Sequence, residues 1–321
     1  MELDFLTPWG GLLILAALLP LWVLRDRGRR IDVMRSALAL AEQPRRSRSV
    51  HAAALVALCA LLGLAAAQPV VTRSQRIAER TDVQVFLVLD TSRSMLASAG
   101  AEKPTRFERS RDLAQGLAER LPEVPVGLAS FTDRVLPHLF PTVDRRLFAS
   151  TLRKTMGVES PGPAIFYVGA RATSYDALAE LPTRNYFPPA TKRRVVVVFT
   201  DGESRPAGGT LAAAFEQTPR IETVFVRIWD AAERIYLTGG PEVGYVPDPA
   251  SAQELERVAA SVGGAVVGEG ESARLEEVVA DLVAEGPTRA REDEGARRPL
   301  MPWLALAAAL PLGLVLYRRN V

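Results

Sequence analysis

Val83-Gln84-Val85-Phe86-Leu87-Val88-Leu89 runs directly into Asp90-Thr91-Ser92-Arg93-Ser94. An apolar, β-branched run that stops on one carboxylate and two hydroxyls places hard oxygen donors on the turn where a buried strand ends. The same order returns downstream, where Val195-Val196-Val197-Val198-Phe199-Thr200 stops on Asp201-Gly202. Continuous apolar runs of this kind are central strands of a parallel sheet covered on both faces, and such sheets collect ligands at the carboxyl ends of their strands. Both aspartates therefore belong to one rim.

Strands and helices alternate outward from these two runs. The pattern predicts strands at 83–89, 126–131, 134–139, 194–199, 221–228 and 264–267. Helices are expected near 105–121, 144–154, 173–181, 209–217, 252–262 and 272–284. Alternation of this kind makes an α/β, doubly wound, mostly parallel sheet of Rossmann-like type. The pair 126–131 and 134–139, joined through Thr132-Asp133, reads as a hairpin that adds one antiparallel edge strand. Phe107, Leu113, Leu117 and Leu121 form the core stripe of the first helix, which Pro122 ends.

The chain has 321 residues, and its apolar residues are unevenly spread. Residues 5–24, 50–69 and 300–317 are apolar enough to be read as transmembrane helices, against a requirement of about 20 residues with roughly 17 tolerated. The segment 25–49 carries eight arginines against Asp26, Asp32 and Glu42, and short loops this basic stay in the cytoplasm. A large domain over 82–285 then lies on the extracytoplasmic face, followed by a polar, structureless linker over 286–299. Trp9, Trp22 and Trp303 fall near span ends, as interfacial anchors do. A rival reading cleaves the chain after Ala65-Ala66-Ala67, as a signal peptide. Ile31, Met34, Leu38 and Ala41 share one helical face in the basic segment, which fits either an in-plane helix on anionic lipid or a solvated linker.

Several function classes fall away on composition. The net charge is +2; the basic segment contributes +5, leaving the rest at −3, so no basic surface for nucleic acid remains. Cys59 is the only cysteine, which removes intrachain disulfides, thiolate clusters and thiol nucleophiles outside the second apolar segment. The two histidines, His51 and His138, are read as structural. Gly208-Gly209-Thr210 lacks the spacing and lysine of a phosphate loop and reads as a turn before a helix. The loop from Tyr236 to Tyr245, ahead of Asp248, is read as structural cover near the rim.

Asp90-x-Ser92-x-Ser94, then Thr173 in Ala-Thr-Ser-Tyr-Asp-Ala-Leu, then Thr200-Asp201-Gly202, resembles the metal-ion-dependent adhesion site (MIDAS) of von Willebrand factor A (VWA) domains. With the apolar segments at both ends, the chain further resembles the bacterial Bat (aerotolerance) membrane proteins. The resemblance implies a metal site of Asp90, Ser92, Ser94, Thr173 and Asp201, with the hydroxyls as direct ligands and the aspartates acting mostly through water. Mg²⁺ is the implied cation, with Mn²⁺ or Ca²⁺ as substitutes. Mg²⁺ seeks six oxygens in an octahedron and sheds water reluctantly, so neutral hydroxyls leave its charge available to an incoming carboxylate. Arg171-Ala172 precede Thr173 where relatives tend to have glycine, which makes Thr173 the least secure ligand; the competing role is an N-cap for the next helix.

The function expected from this reading is non-enzymatic capture of an acidic group of a protein partner, on the extracytoplasmic face of the cell membrane. The Bat resemblance also implies a link to a MoxR-type AAA+ ATPase, which could reach only the cytoplasmic segments. One alternative is a metal-dependent hydrolase or phosphotransferase with Asp90 as nucleophile, against which stands Ser92 where a second acid is usual. The other is a metal-free membrane scaffold.

Overall fold

A computed structural model describes residues 2–37, 45–72, 74–163, 173–237, 240–294 and 298–319. The chain divides into two compact units, Met1–Arg76 with Glu292–Val321, and Ile77–Arg291.

The larger unit holds a six-stranded sheet: β1 Val83–Asp90, β2 Val126–Phe131, β3 Val135–Thr142, β4 Arg193–Thr200, β5 Ile221–Arg227 and β6 Ala265–Gly268. Their spatial order is β6-β5-β4-β1-β2-β3. Every pairing is parallel except β2 with β3, so the expected antiparallel edge strand is present. Leu87 of β1 lies opposite Val197 of β4 on one side and Leu128 of β2 on the other. Pro137 and Pro141 sit within β3 itself, where an edge strand tolerates a residue with no N–H to donate.

Because successive side chains of a strand point to opposite faces, β1 divides its apolar run between two cores. Val83, Val85, Leu87 and Leu89 pack with Phe107, Leu117, Phe148 and Val279. Phe86 and Val88 pack on the other face with Tyr175, Leu178, Phe215, Leu255 and Val258. The covering helices are α1 Arg106–Arg120, α2 Arg145–Lys154, α3 Thr210–Phe215, α4 Ser251–Val262 and α5 Ser272–Val283. Only one helix differs much from expectation: 173–181 is a single 3₁₀ turn, Tyr175–Ala179, followed by a short α segment, Glu180–Thr183, with Pro182 inside that segment.

Two local devices position the rim. Thr105 and Glu108 form a reciprocal capping box, Thr105 N donating to Glu108 Oε2 (2.8 Å) and Glu108 N to Thr105 Oγ1 (3.1 Å), which fixes where α1 begins. Gly202, just past Asp201, has φ +85°, and a Cβ there would stand 2.9 Å from the Ser251 carbonyl oxygen; the turn out of β4 therefore requires glycine.

The stretch expected to be a structureless linker is partly ordered. Thr288–Glu294 pairs with Ser74–Arg80 in a two-stranded sheet. Its alternating charges read as solvated linker by composition, yet Arg289 and Arg291 come within 3.6 and 3.5 Å of the Glu79 carboxylate. Residues 295–297 lie outside the described residues.

In the smaller unit Glu2–Phe5 pairs antiparallel with Pro69–Thr72, which also pairs with Arg298–Pro299. The first apolar segment is not one helix: Pro8–Ala17 is 3₁₀ and Leu18–Ala37 is α-helical. The helix thus continues through Arg25–Arg35, residues read from composition as loop, while Leu38, Ala41 and Glu42 lie outside the described residues. The other helices are Arg45–Ala66, which carries Cys59, and Met301–Arg319, and these two pack together. Among the described residues no helix is long and apolar enough to cross a membrane, so the spans expected at 5–24, 50–69 and 300–317 are not seen as such. The first segment is divided between two helix types, and the helix of the second ends at Ala66, ahead of the strand at Pro69–Thr72. Large apolar side chains of this unit are nonetheless exposed, among them Trp9 (81 %), Leu19 (72 %), Trp22 (69 %), Trp303 (71 %) and Leu310 (78 %).

Candidate metal centre

β1 and β4 are neighbours, and the chain leaves them in opposite directions across the sheet. Their carboxyl ends form the topological switch point at which an open α/β sheet leaves a crevice. Asp90 ends β1 and Asp201 follows β4, and both are fully buried.

Asp90 is held by its neighbours on both oxygens. Oδ1 accepts from Ser92 N (2.9 Å) and from Thr173 Oγ1 (3.5 Å), and Oδ2 accepts from Thr200 Oγ1 (2.8 Å). The Ser92 and Ser94 hydroxyls lie 3.0 Å apart, and the Ser94 hydroxyl is near enough to the Asp201 carboxylate to lower its pKa. All five residues expected at the metal site therefore converge. Ser92 and Thr173 are buried, and Ser94 is the partly open member. Thr173 does not cap the following 3₁₀ turn, whose N-cap position is Ser174. Arg171 and Ala172 lie outside the described residues.

Burial, and then the nearby Asp201 charge, push the Asp90 carboxyl up to about 7. Burial and Glu203 likewise raise Asp201, while Arg106 draws it back down. Two buried carboxylates with hydroxyls between them are a donor set that suits a hard divalent cation. Among the described residues no group of three or more His, Cys, Asp or Glu could hold a metal.

The largest feature absent from the sequence reading is Arg106. It is the first residue of α1 and its side chain is fully buried. Nη1 donates to Asp201 Oδ2 (2.9 Å), Glu203 Oε1 (3.1 Å) and the Tyr245 hydroxyl (2.8 Å), and Nε donates to Glu233 Oε2 (2.6 Å). Burial alone would lower its pKa, but Asp201 and the other acids outweigh that and raise it. Glu203 Oε1 also accepts from Trp229 Nε1 (3.1 Å), the Tyr245 hydroxyl (3.0 Å) and Asp248 N (3.2 Å). Glu233 is shared with Arg109 (2.5 Å), which also binds Glu269 (2.7 Å).

The loop after β5 is tied to the metal turn by three separate links. Arg234–Ile235 pairs antiparallel with Ala97–Ser98, Arg93 Nη2 donates to Glu242 Oε2 (3.0 Å), and Tyr245 reaches Arg106 and Glu203. Arg93, between the two serines, is thus a rim side chain with an acidic partner. Residues 238–239 of this loop are not among those described. Away from the rim, Gly208-Gly209-Thr210 is a turn held by Asp176, which accepts from Gly208 N, Thr210 N and Thr210 Oγ1. His138 Nε2 lies 2.8 Å from Ser130 Oγ on the β2–β3 hairpin.

Residues 85–203 match the family model of the von Willebrand factor type A domain. No curated protein matches the chain. Among solved structures, BatB from Bacteroides thetaiotaomicron, a conserved hypothetical protein, is similar over 63 % of this chain and 98 % of its own, at 21 % identity and a TM-score of 0.50. An aerotolerance-related membrane protein from Bacteroides fragilis, crystallised with multiple mutations to serine, is similar over the same shares at 22 % identity and a TM-score of 0.50. Residues 85–203 therefore resemble a von Willebrand factor type A domain, and the fold resembles that of these two Bacteroides proteins.

Proposed function

We propose that this chain is a non-enzymatic, membrane-associated binding protein that captures a carboxylate of a protein partner through a divalent cation held at Asp90, Ser92, Ser94, Thr173 and Asp201. The observation that carries the reading is the convergence of these five side chains at the β1/β4 switch point of a fold that resembles a von Willebrand factor type A domain. Mg²⁺ is the cation proposed, with Mn²⁺ and Ca²⁺ as substitutes. Ser92, Ser94 and Thr173 would supply neutral oxygens, and the two aspartates would balance the charge. When bound, the cation supplies a Lewis-acidic position for an external carboxylate.

A nucleophilic role for Asp90 is disfavoured by its surroundings. Three donors occupy its oxygens, so few of its lone pairs are left free to attack a substrate.

Membrane association is proposed from the smaller unit, where Trp9, Leu19, Trp22, Trp303 and Leu310 expose apolar surface that water disfavours and lipid does not. The domain is proposed to face the extracytoplasmic side, because arginines dominate 25–49. A MoxR-type ATPase could then act only through the cytoplasmic segments. Calorimetry with Mg²⁺, and partner capture with and without chelator, test the metal reading; heat of binding and chelator-sensitive capture are expected, and their joint absence removes it. Fusing an export-dependent reporter at residue 290 and a cytosol-dependent one at residue 40 tests the topology, and a signal from an export-dependent reporter at residue 40 would reverse it.

A further inference from the structure

We propose that Arg106 is the positioning residue of this site: its guanidinium holds Asp201 back from the cation, keeping the metal weakly bound and free to take an external carboxylate. This inference rests on the metal reading above and concerns how strongly this chain's own residues grip the ion.

Asp201 has two carboxylate oxygens, and the structure assigns each a partner. Oδ2 is taken by Arg106 Nη1 at 2.9 Å, with neither side chain exposed. Oδ1 accepts the Glu203 backbone N–H at 2.9 Å. A carboxylate fixed at both ends is not free to swing onto a cation and chelate it through two oxygens. The guanidinium is itself immobile, since Glu233 anchors Nε at 2.6 Å from the opposite edge and Glu203 and Tyr245 share Nη1. The capping box of Thr105 and Glu108 fixes the helix start from which Arg106 projects. A buried positive charge beside Asp201 also repels a second cation, and in a buried setting such repulsion is weakly screened.

Oxygen sites that add carboxylates bind divalent cations more tightly and come to favour Ca²⁺, which accepts more and less regular ligands than Mg²⁺. Freeing Asp201 should therefore tighten the site, and loosening the anchor of Arg106 should do so to a smaller degree. A purely structural role for the network would instead weaken binding in both variants, through loss of fold.

The test uses the full chain with Trp9, Trp22 and Trp303 changed to Phe, leaving Trp229 as its one tryptophan. Trp229 Nε1 donates to Glu203 Oε1, two residues beyond Asp201, so its fluorescence reads the site without any partner present. Mg²⁺ and Ca²⁺ titrations are compared for the parent, Arg106→Gln and Glu233→Gln, with calorimetry alongside. Expected are a Kd for Mg²⁺ at least tenfold lower in Arg106→Gln, with a larger gain for Ca²⁺, and a Kd at least threefold lower in Glu233→Gln. Folded Arg106→Gln with unchanged or weaker affinity overturns the proposal. Should Arg106→Gln not fold, Glu233→Gln decides alone: tighter binding supports the restraint, and equal or weaker binding overturns it. Parent protein that binds neither ion by either readout overturns the metal reading itself, and this inference with it, which is a different result from binding that ignores Arg106.

Discussion

Trp229 donates its indole N–H to Glu203 over 3.1 Å, and Glu203 stands two residues past Asp201 on the turn out of β4. The Arg227 guanidinium lies over the indole ring at 4.5 Å from its centroid, within cation–π range. An indole held between a carboxylate and a guanidinium responds when the charge balance of the rim changes. Mn²⁺ or Mg²⁺ is therefore expected to shift Trp229 emission in a saturable way that a chelator reverses. Trp229→Phe should abolish the signal while calorimetry still records binding.

Ser92→Ala is the cleanest loss-of-site variant. It removes one hydroxyl whose side-chain partner is Ser94, a change worth about 0.5–1.5 kcal/mol of stability at most. Loss of metal-induced stabilisation in a thermal melt, with the metal-free melting point nearly unchanged, is the expected result.

Asp201→Ala should behave differently despite touching the same site. It strips a carboxylate from fully buried Arg106, and breaking a buried pair from one side typically costs about 3–5 kcal/mol. Chemical denaturation should register that loss even in chelator, in contrast to Ser92→Ala.

Val197→Ala separates fold from function. Val197 is fully buried in β4, opposite Leu87, and its truncation should lower stability by about 1–3 kcal/mol through lost burial and a cavity. Metal affinity of the folded fraction should match the parent, because no rim oxygen is disturbed; a tenfold loss of affinity would show that the rim is not separable from the sheet core.

His138, which contacts Ser130 on the neighbouring strand, supplies a pH dependence of its own. Burial lowers its pKa below the usual 6.5, so the folded state resists the proton that the unfolded state accepts. Stability is then present above about 6.5 and falls as the pH drops through that value, since the unfolded chain binds more protons there. Asp90, raised by burial, shifts stability the opposite way over the same range, so the His138 contribution is read as the difference between parent and His138→Gln melting curves from pH 7.5 to 5, the parent losing more stability or gaining less.

The sheet was legible because its central strands are uninterrupted β-branched runs, and Asp90, Ser92, Ser94 and Asp201 were legible as rim oxygen donors because two runs stop on aspartate. Thr173 could be placed by its resemblance to a known motif, and its contact with Asp90 agrees with a place in the same cluster. Arg106 was not legible. An arginine at the first position of an amphipathic helix reads as solvated, and its partners Asp201 and Glu233 are 95 and 127 residues away in sequence. Only the tertiary arrangement turns that charge inward. Composition also misjudged 288–294, where charges that suggest solvated chain instead pair across a two-stranded ribbon with Glu79. In the smaller unit apolar content alone did not reveal the change from 3₁₀ to α at Leu18.

Pro137 and Pro141 on β3 bear on how copies of this domain meet one another. A proline offers no N–H to a neighbouring strand, so the outer side of β3 is a poor template for another chain, and β6 at the opposite margin is only four residues long. Neither margin invites growth of the sheet from molecule to molecule. A domain crowded at high local concentration on a surface can then present its loops to a binding partner without polymerising through its backbone.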